Sequence, residues 1–251
     1  MSNVLSLAGR FDAAALEALC VDNTEPTFGE KMKARAELGD LVAAATDILL
    51  EHPIRVGYYV KEQPAFRPIV DMMTARGWRM CGSGYYSAAF FQGGLCIKLG
   101  FKAEDSALMY SAWCRANQGR AGVPVIHHLM SMGTCWGVLM DRLEAIAGEL
   151  EDGTSAYDPI LAAELDSVKG TLNLGEEGWG QHMELCRTAL DIRSFFVGIA
   201  NFDIHEANVM LDRNGNLIIT DPVSFAGDYQ SLSNDNEGYS GYHPDRLKAA
   251  G

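Results

Sequence analysis

The sequence has no cysteine pair at C-x-x-C spacing, no uninterrupted apolar run of bilayer length, and no excess of positive charge. Each absence removes a class of protein. Six scattered cysteines, Cys20, Cys81, Cys96, Cys114, Cys135 and Cys186, give neither a zinc site nor a disulfide framework, and they predict reduced thiols. A spanning helix needs about 20 predominantly apolar residues, and no stretch approaches that. The N-terminal stretch has an arginine, an aspartate and no small-residue cleavage site, so no secretion signal is expected. Lys and Arg number 20 against 33 Asp and Glu, a net charge of −13, which disfavours a nucleic-acid-binding face and tolerates basic protein partners. No repeat or low-complexity tract occurs. What is present is a chain of 251 residues, 48% hydrophobic and 21% charged. That is a globular composition, enough for one large domain or two small lobes, and the reading is a soluble intracellular protein.

Periodicity gives the order of elements. Apolar residues recur every three or four positions over 9–20 and 29–50, predicting two helices. Residues 64–77 predict a third, ended by Gly77. From Trp78 to Phe101 the pattern alternates, is rich in aromatics and turns at Gly93-Gly94, the signature of antiparallel strands. A helix is expected from about Glu104 to Gln118, a buried strand over 135–143, a short helix over 161–170 and a buried helix over 181–200. A hairpin then turns at Asn214-Gly215, a pair suited to a type I′ turn. The last residues, 231–251, are polar and Gly-rich and read as a loosely held tail.

Three stretches carry chemistry. "CGSGYYSAAF" (81–90) places Gly82, Gly84 and Ser87 between two expected strands. No helix follows, which excludes the dinucleotide fingerprint. A strand–loop–strand context suits a flap whose amides fold over phosphates, although a glycine pair in a turn is ordinarily only a turn. "LCIKLG" (95–100) puts Lys98 alone in an apolar strand. Such a lysine either snorkels from an edge strand or reaches phosphate oxygens, held by a carboxylate of the next helix. Glu104, then Asp105, are the candidates for that carboxylate. "NFDIHEANVMLDRNGNLIITDP" (201–222) brackets a hairpin with Asp203, Asn208 and Asp221. An amide and a carboxylate at the ends of one hairpin can converge on Mg²⁺, which prefers oxygen ligands, and Asp203 can accept the proton of an attacking hydroxyl.

The order glycine flap, strand lysine, D-x-x-x-x-N and strand-terminal Asp is that of protein-kinase-like phosphotransferases. Within them, "GSGYYSAAF", "IKLGFKAEDSA", "CRANQGRAGVPVI", "FFVGIANFDIHEANVM" and "ITDPVSF" resemble the early protein kinase of T7-like bacteriophages over about Gly77–Phe225. The resemblance implies an α+β, two-lobed kinase fold: an N-terminal helical extension (1–77), a small antiparallel-sheet lobe (78–143), a reduced helical lobe carrying the catalytic hairpin (144–230) and a tail (231–251). It implies a serine/threonine kinase that uses ATP and Mg²⁺ and phosphorylates host proteins, transcription or RNA-processing machinery among them, in the cytoplasm of the infected bacterium. Asp203 then orients the substrate hydroxyl, Asn208 and Asp221 hold Mg²⁺, and Lys98 binds phosphate. Gly82, Ser83, Gly84 and Ser87 line the nucleotide, and Glu104 pairs with Lys98. Met140 is the gatekeeper, with the backbone of Asp141, Arg142 and Leu143 as adenine hinge.

Departures from the superfamily pattern give two rival readings. Asn201-Phe202 stands where His-Arg is usual, so no activation-loop phosphate has a docking cation. His205 stands where lysine is usual, as in aminoglycoside- and choline-type kinases, and is placed to touch the γ-phosphate. A small-molecule phosphotransferase is therefore one alternative, and a non-catalytic protein gripping a host factor is another. Pro222-Val223 after Asp221 argues against a flipping loop, and no stretch of these residues matches the basic C-terminal region that the family can carry. Ser224 is a candidate autophosphorylation site. The remaining histidines show no metal-ligand spacing, and Trp78, Trp113, Trp136 and Trp179 read as packing residues.

Overall fold

The computed structural model describes residues 23–55, 58–103, 105–146, 159–205 and 208–225. The helix expected over 9–20, the acidic run 148–158, Glu104 and the tail lie outside them. Helix α1 (Phe28–Glu51) begins at a capping box. The Thr27 hydroxyl accepts from the Glu30 amide at 3.2 Å, and the Glu30 carboxylate accepts from the Thr27 amide at 2.7 Å, so two of the helix's orphan donors are satisfied. Ala34, Leu38, Leu41, Val42, Ala45 and Leu49 form one buried stripe. After a short 3₁₀ turn at Val60–Glu62, α2 (Phe66–Ala75) buries Ile69 and Met73. It ends as expected at Gly77, whose φ of +85° is left-handed and costs glycine little.

Strands β1 (Arg79–Ser83), β2 (Ser87–Gln92), β3 (Leu95–Gly100), β4 (Ile126–Met132) and β5 (Cys135–Asp141) form one antiparallel sheet in the order β1-β2-β3-β5-β4. Sequence reading gave no strand at β4: its "IHHLMSM" alternates weakly, and it is held by pairing to β5 from Ile126↔Met140 to Met132↔Cys135. Side-chain parity divides the sheet. Leu95, Ile97 and Leu99 of β3 and Leu139 of β5 join α1, α2, Val60 and Trp78 in one apolar cluster. Trp136 and Val138, on the opposite face, join a second cluster with the helices that follow. Gly137 lets α1 lie against β5: a Cβ there would sit 2.6 Å from Val42 and 2.9 Å from Leu38.

Helix α3 (Ser106–Ala116) starts at Asp105, whose carboxylate accepts from the Ala107 amide at 2.9 Å, two residues later than expected. Strand β6 (Glu144–Ala145), α4 (Pro159–Lys169) and α5 (Met183–Phe196) follow. Leu161, Leu165 and Val168 of α4 pack with Leu185, Ala189, Ile192 and Phe196 of α5 in the second cluster. Between these helices Glu164 is buried, yet it accepts from the amides of Gly180 (2.8 Å), Gln181 (3.2 Å) and His182 (3.1 Å) and lies 3.0 Å from His182 Nδ1. A buried carboxylate persists only when paired in this way. All four tryptophans are buried.

Candidate active site

Residues 201–224 form two nested hairpins. β7 (Asn201–Phe202) pairs with β10 (Val223–Ser224), and inside them β8 (Val209–Leu211) pairs with β9 (Leu217–Ile219). The inner turn differs from the expected type I′. Asn214 does not have positive φ, and only Gly215 does, at +78°. The Gly215 amide donates to the Asp212 carbonyl, and the Asp212 carboxylate accepts from the Asn214 and Asn216 amides, both at 2.8 Å. An aspartate that caps its own loop favours a three-residue connection with glycine in the left-handed position.

Nesting brings segment 203–208 beside 220–222. The Thr220 amide donates to the Asn208 carbonyl at 2.8 Å, and the Asp203 amide to the Pro222 carbonyl at 2.7 Å. The Asn208 amide nitrogen ties the two segments, donating to the carbonyls of Asp203 (2.7 Å) and Asp221 (2.9 Å). It also lies 3.2 Å from His205 Nε2. All these contacts use Nδ2, which orients the amide and leaves Oδ1 without a contact among the described residues. The Asp203 carboxylate is half-exposed, with His205 Nε2 at 4.0 Å.

Lys98 completes the group. Because β3 lies between β2 and β5, Lys98 is not an edge-strand lysine. It stands in line with Ala89 and Val138, on the face opposite α1. Its Nζ reaches Asp221 Oδ1 at 2.6 Å and Oδ2 at 2.8 Å, with only 18% of the lysine side chain exposed. Burial works against the charged ammonium, but Asp221 first and Asp105 next outweigh it, so the Lys98 pKa is held above its ordinary value. Among the described residues the carboxylate on Lys98 is that of Asp221; Glu104, the first residue expected in that role, lies outside them. Asp105 acts on Lys98 by charge while capping α3, and burial lifts its own pKa against the Ala107 amide and Lys98. Sequence reasoning missed Tyr110 of α3. Its hydroxyl donates to the Ile219 carbonyl at 2.8 Å, fixing the strand that ends just before Asp221. Burial raises the Tyr110 pKa and keeps it a donor.

The residues expected to form the adenine hinge are partly committed to the protein's own backbone. Met140 is half-buried at the end of β5. The Asp141 amide donates to the Val125 carbonyl at 3.0 Å and the Arg142 amide to the Gly94 carbonyl at 2.9 Å, which leaves Leu143 as the hinge amide with no such bond among the described residues. The Asp141 side chain has a separate task. It lies 2.7 Å from His127 Nε2 and 2.8 Å from Arg213 Nη2, linking β4, the hinge and the β8–β9 turn. Burial opposes the Asp141 charge, but His127 and then Arg213 hold its pKa below the usual carboxylate value. A cavity of about 970 Å³ is lined by residues including Asp141, Leu143 and Arg213, and by none of Lys98, Asp203, Asn208 and Asp221.

In the flap, Ser83 ends β1 and Ser87 begins β2. The Gly84 amide is already used, donating to the Ser87 carbonyl at 2.8 Å, so it is not one of the amides open to a phosphate. Gly82 and Gly84 have no left-handed φ, and a Cβ at either would meet nothing within 4 Å. Neither backbone strain nor protein packing demands glycine at these positions.

Among solved structures, the chain is similar to a co-crystal of WbdD with the kinase inhibitor LY294002, at 13% identity and a TM-score of 0.29, covering 57% of this chain and 34% of that one. A structure of the bifunctional kinase-methyltransferase WbdD gives 13% and 0.29, covering 55% and 30%. The chain thus spans about a third of those proteins, and likeness at that level carries no weight here. No curated protein matches it. Residues 32–248 match the family described as bacteriophage T7 protein kinase 0.7, a span that includes the flap, Lys98, the hinge and both nested hairpins. The chain belongs to that family of phage kinases.

Proposed function

We propose that the protein is a serine/threonine kinase that transfers the γ-phosphoryl group of ATP to host bacterial proteins in the cytoplasm of the infected cell. The observation that carries this reading is the convergence of Lys98, Asp203, Asn208 and Asp221 from a sheet strand and two nested hairpins. The donor set fits Mg²⁺: a carboxylate and an amide oriented through its nitrogen are hard oxygen ligands. Asp221 and Asn208 Oδ1 would hold the ion, which when bound neutralises charge on the phosphate oxygens. Lys98 exchanges its contact with Asp221 for the α- and β-phosphates. Asp203, fixed through its amide on Pro222 and its carbonyl on Asn208, presents an exposed carboxylate that orients the attacking hydroxyl and accepts its proton. His205 sits beside both Asn208 and Asp203 and donates toward the γ-phosphate. The Leu143 amide reads the adenine edge. Phosphoryl transfer through a loose transition state asks the protein mainly for positioning and charge neutralisation.

The test is incubation of the pure protein with labelled ATP and a bacterial lysate, beside Asp203→Asn. Label on serine and threonine of host proteins, reduced at least about 100-fold in the variant, is the expected result. Label on metabolites supports the small-molecule reading that His205 favours. Equal labelling by both proteins refutes the role of Asp203.

A further inference from the structure

The flap is not a free hairpin. Residues 58–63, just before α2, run against its tip. The Val60 amide donates to the Gly84 carbonyl at 3.1 Å, while the Gly84 amide closes the turn on Ser87. The Tyr59 ring stacks on Tyr85 at the tip, with centroids 4.1 Å apart and planes inclined by 24°. Lys61 lies over Tyr59 at 5.6 Å, and Lys102 over Tyr86 at 4.9 Å. The segment is itself anchored. The Val60 side chain is fully buried in the cluster formed by α1, α2 and the sheet. Gln63, also buried, accepts from the Arg55 amide at 2.7 Å and donates to the Arg55 and Tyr58 carbonyls at 2.7 and 3.1 Å. The Tyr59 amide donates to the Glu62 carboxylate at 3.0 Å. Every residue of β1 except Gly82 is exposed, so an edge strand with little burial of its own has its free end held from outside the sheet.

We infer that residues 58–63 are a strap that pre-orders the glycine flap for the nucleotide, with Tyr59 as the positioning residue. This rests on the kinase reading above. A flap that is ordered before binding loses less conformational freedom when it closes over phosphates, so the strap acts on nucleotide affinity rather than on the chemical step. Tyr59 meets the flap through its stack on Tyr85, beside the Val60 amide that holds Gly84, and it contributes no group to the reaction. An aromatic stack is worth about 0.5–1.5 kcal/mol beyond burial, equivalent to about two- to twelvefold in affinity.

The experiment uses the full-length protein as wild type, Tyr59→Ala and Tyr59→Phe. Two readouts are taken: Mg-ATP binding and turnover, and amide hydrogen exchange of residues 79–92 without nucleotide. Tyr59→Ala is expected to raise the dissociation constant and KM for Mg-ATP about two- to tenfold with kcat within about twofold, and to speed exchange of the flap. Tyr59→Phe, which keeps the stack, restores both. Unchanged flap exchange and unchanged Mg-ATP affinity in Tyr59→Ala would overturn the strap. Equal falls in kcat and melting temperature with no change in KM would also overturn it, by showing a merely structural role. If the wild type itself binds no Mg-ATP, the kinase reading fails, while flap exchange still decides whether the strap exists.

Discussion

Replacing Lys98 by methionine tests the centre of the proposed site without relying on activity. The Lys98 ammonium lies on both Asp221 oxygens, at 2.6 and 2.8 Å, so a divalent cation held by Asp221, as proposed, would compete with it for the same carboxylate. The gross Coulomb attraction at that distance is about 6 kcal/mol at an effective dielectric of about 20. Asp221 is 47% exposed, and solvent screening of its half of the pair lowers the net value toward about 1–3 kcal/mol, between exposed and buried pairs. Lys98→Met should therefore bind Mn²⁺ about 5- to 150-fold more tightly than the wild type in the absence of ATP. Water-proton relaxation at pH 7.5 reads this directly. The raised Lys98 pKa keeps the wild-type lysine charged there, because a lysine so stabilised loses its proton only above its ordinary value of about 10.4. Linkage adds a second arm. Phosphates that draw Lys98 away free Asp221, so ATP and the cation should bind with positive coupling in the wild type, and the coupling should be weaker in the variant, where only the direct attraction between cation and phosphates remains. An affinity for Mn²⁺ in Lys98→Met equal to or weaker than that of the wild type would refute the competition.

Two further outcomes concern stability. Glu164→Ala removes a buried charged acceptor from three loop amides and should lower the unfolding free energy in urea by about 3 kcal/mol, at about 1 kcal/mol for each lost hydrogen bond; a loss under about 0.5 kcal/mol would show that the loop finds other partners. Asp141 has a depressed folded pKa, so its contribution is complete above the unfolded value of about 3.9 and fades as pH falls through the lower folded value. Asp141→Asn should thus be less stable than the wild type at pH 6, with the two curves drawing together in urea titrations as pH falls below about 3.9, and a gap that stays constant or widens through that fall would contradict this sign.

Local patterns were legible where one physical cause acted alone. The α1 stripe, the Gly77 stop and the aromatic alternation from β1 to β3 each follow from burial period or backbone conformation, and they fall where the sequence puts them. The turn at Asn214-Gly215 did not, because a dipeptide preference ignored Asp212, whose carboxylate captures two loop amides and selects another connection. β4 escaped for a related reason: "IHHLMSM" has little apolar period, and pairing with β5 creates the strand. In the site, spacing gave Asp203, Asn208 and Asp221, because a hairpin of fixed length must return its ends together. It did not give the contact between Lys98 and Asp221. Sequence proximity favoured Glu104 or Asp105, whereas Asp221 lies 123 residues away. Tyr110 and the Asp141 carboxylate were invisible for the same reason, since their partners Ile219, His127 and Arg213 come from other elements.

The reading of "LCIKLG" shows what topology adds to pattern. The same six residues suit an exposed edge strand or a central one, and a lone lysine has opposite meanings in the two cases. In the sheet order β1-β2-β3-β5-β4 the strand is central, so its backbone is paired on both sides and the lysine has no edge along which to reach water. The residues on either side of it, Ile97 and Leu99, face α1 and are fully buried, which fixes the pleat and directs Lys98 to the opposite face. A one-residue slip would exchange the two faces and bury the ammonium beneath α1 without a partner, a penalty of several kcal/mol. The apolar stripe of α1 and the capture of Lys98 by Asp221 are thus two readings of one register. The N-terminal helices, far from Asp221 in sequence, help to keep Lys98 on the side where the carboxylate waits.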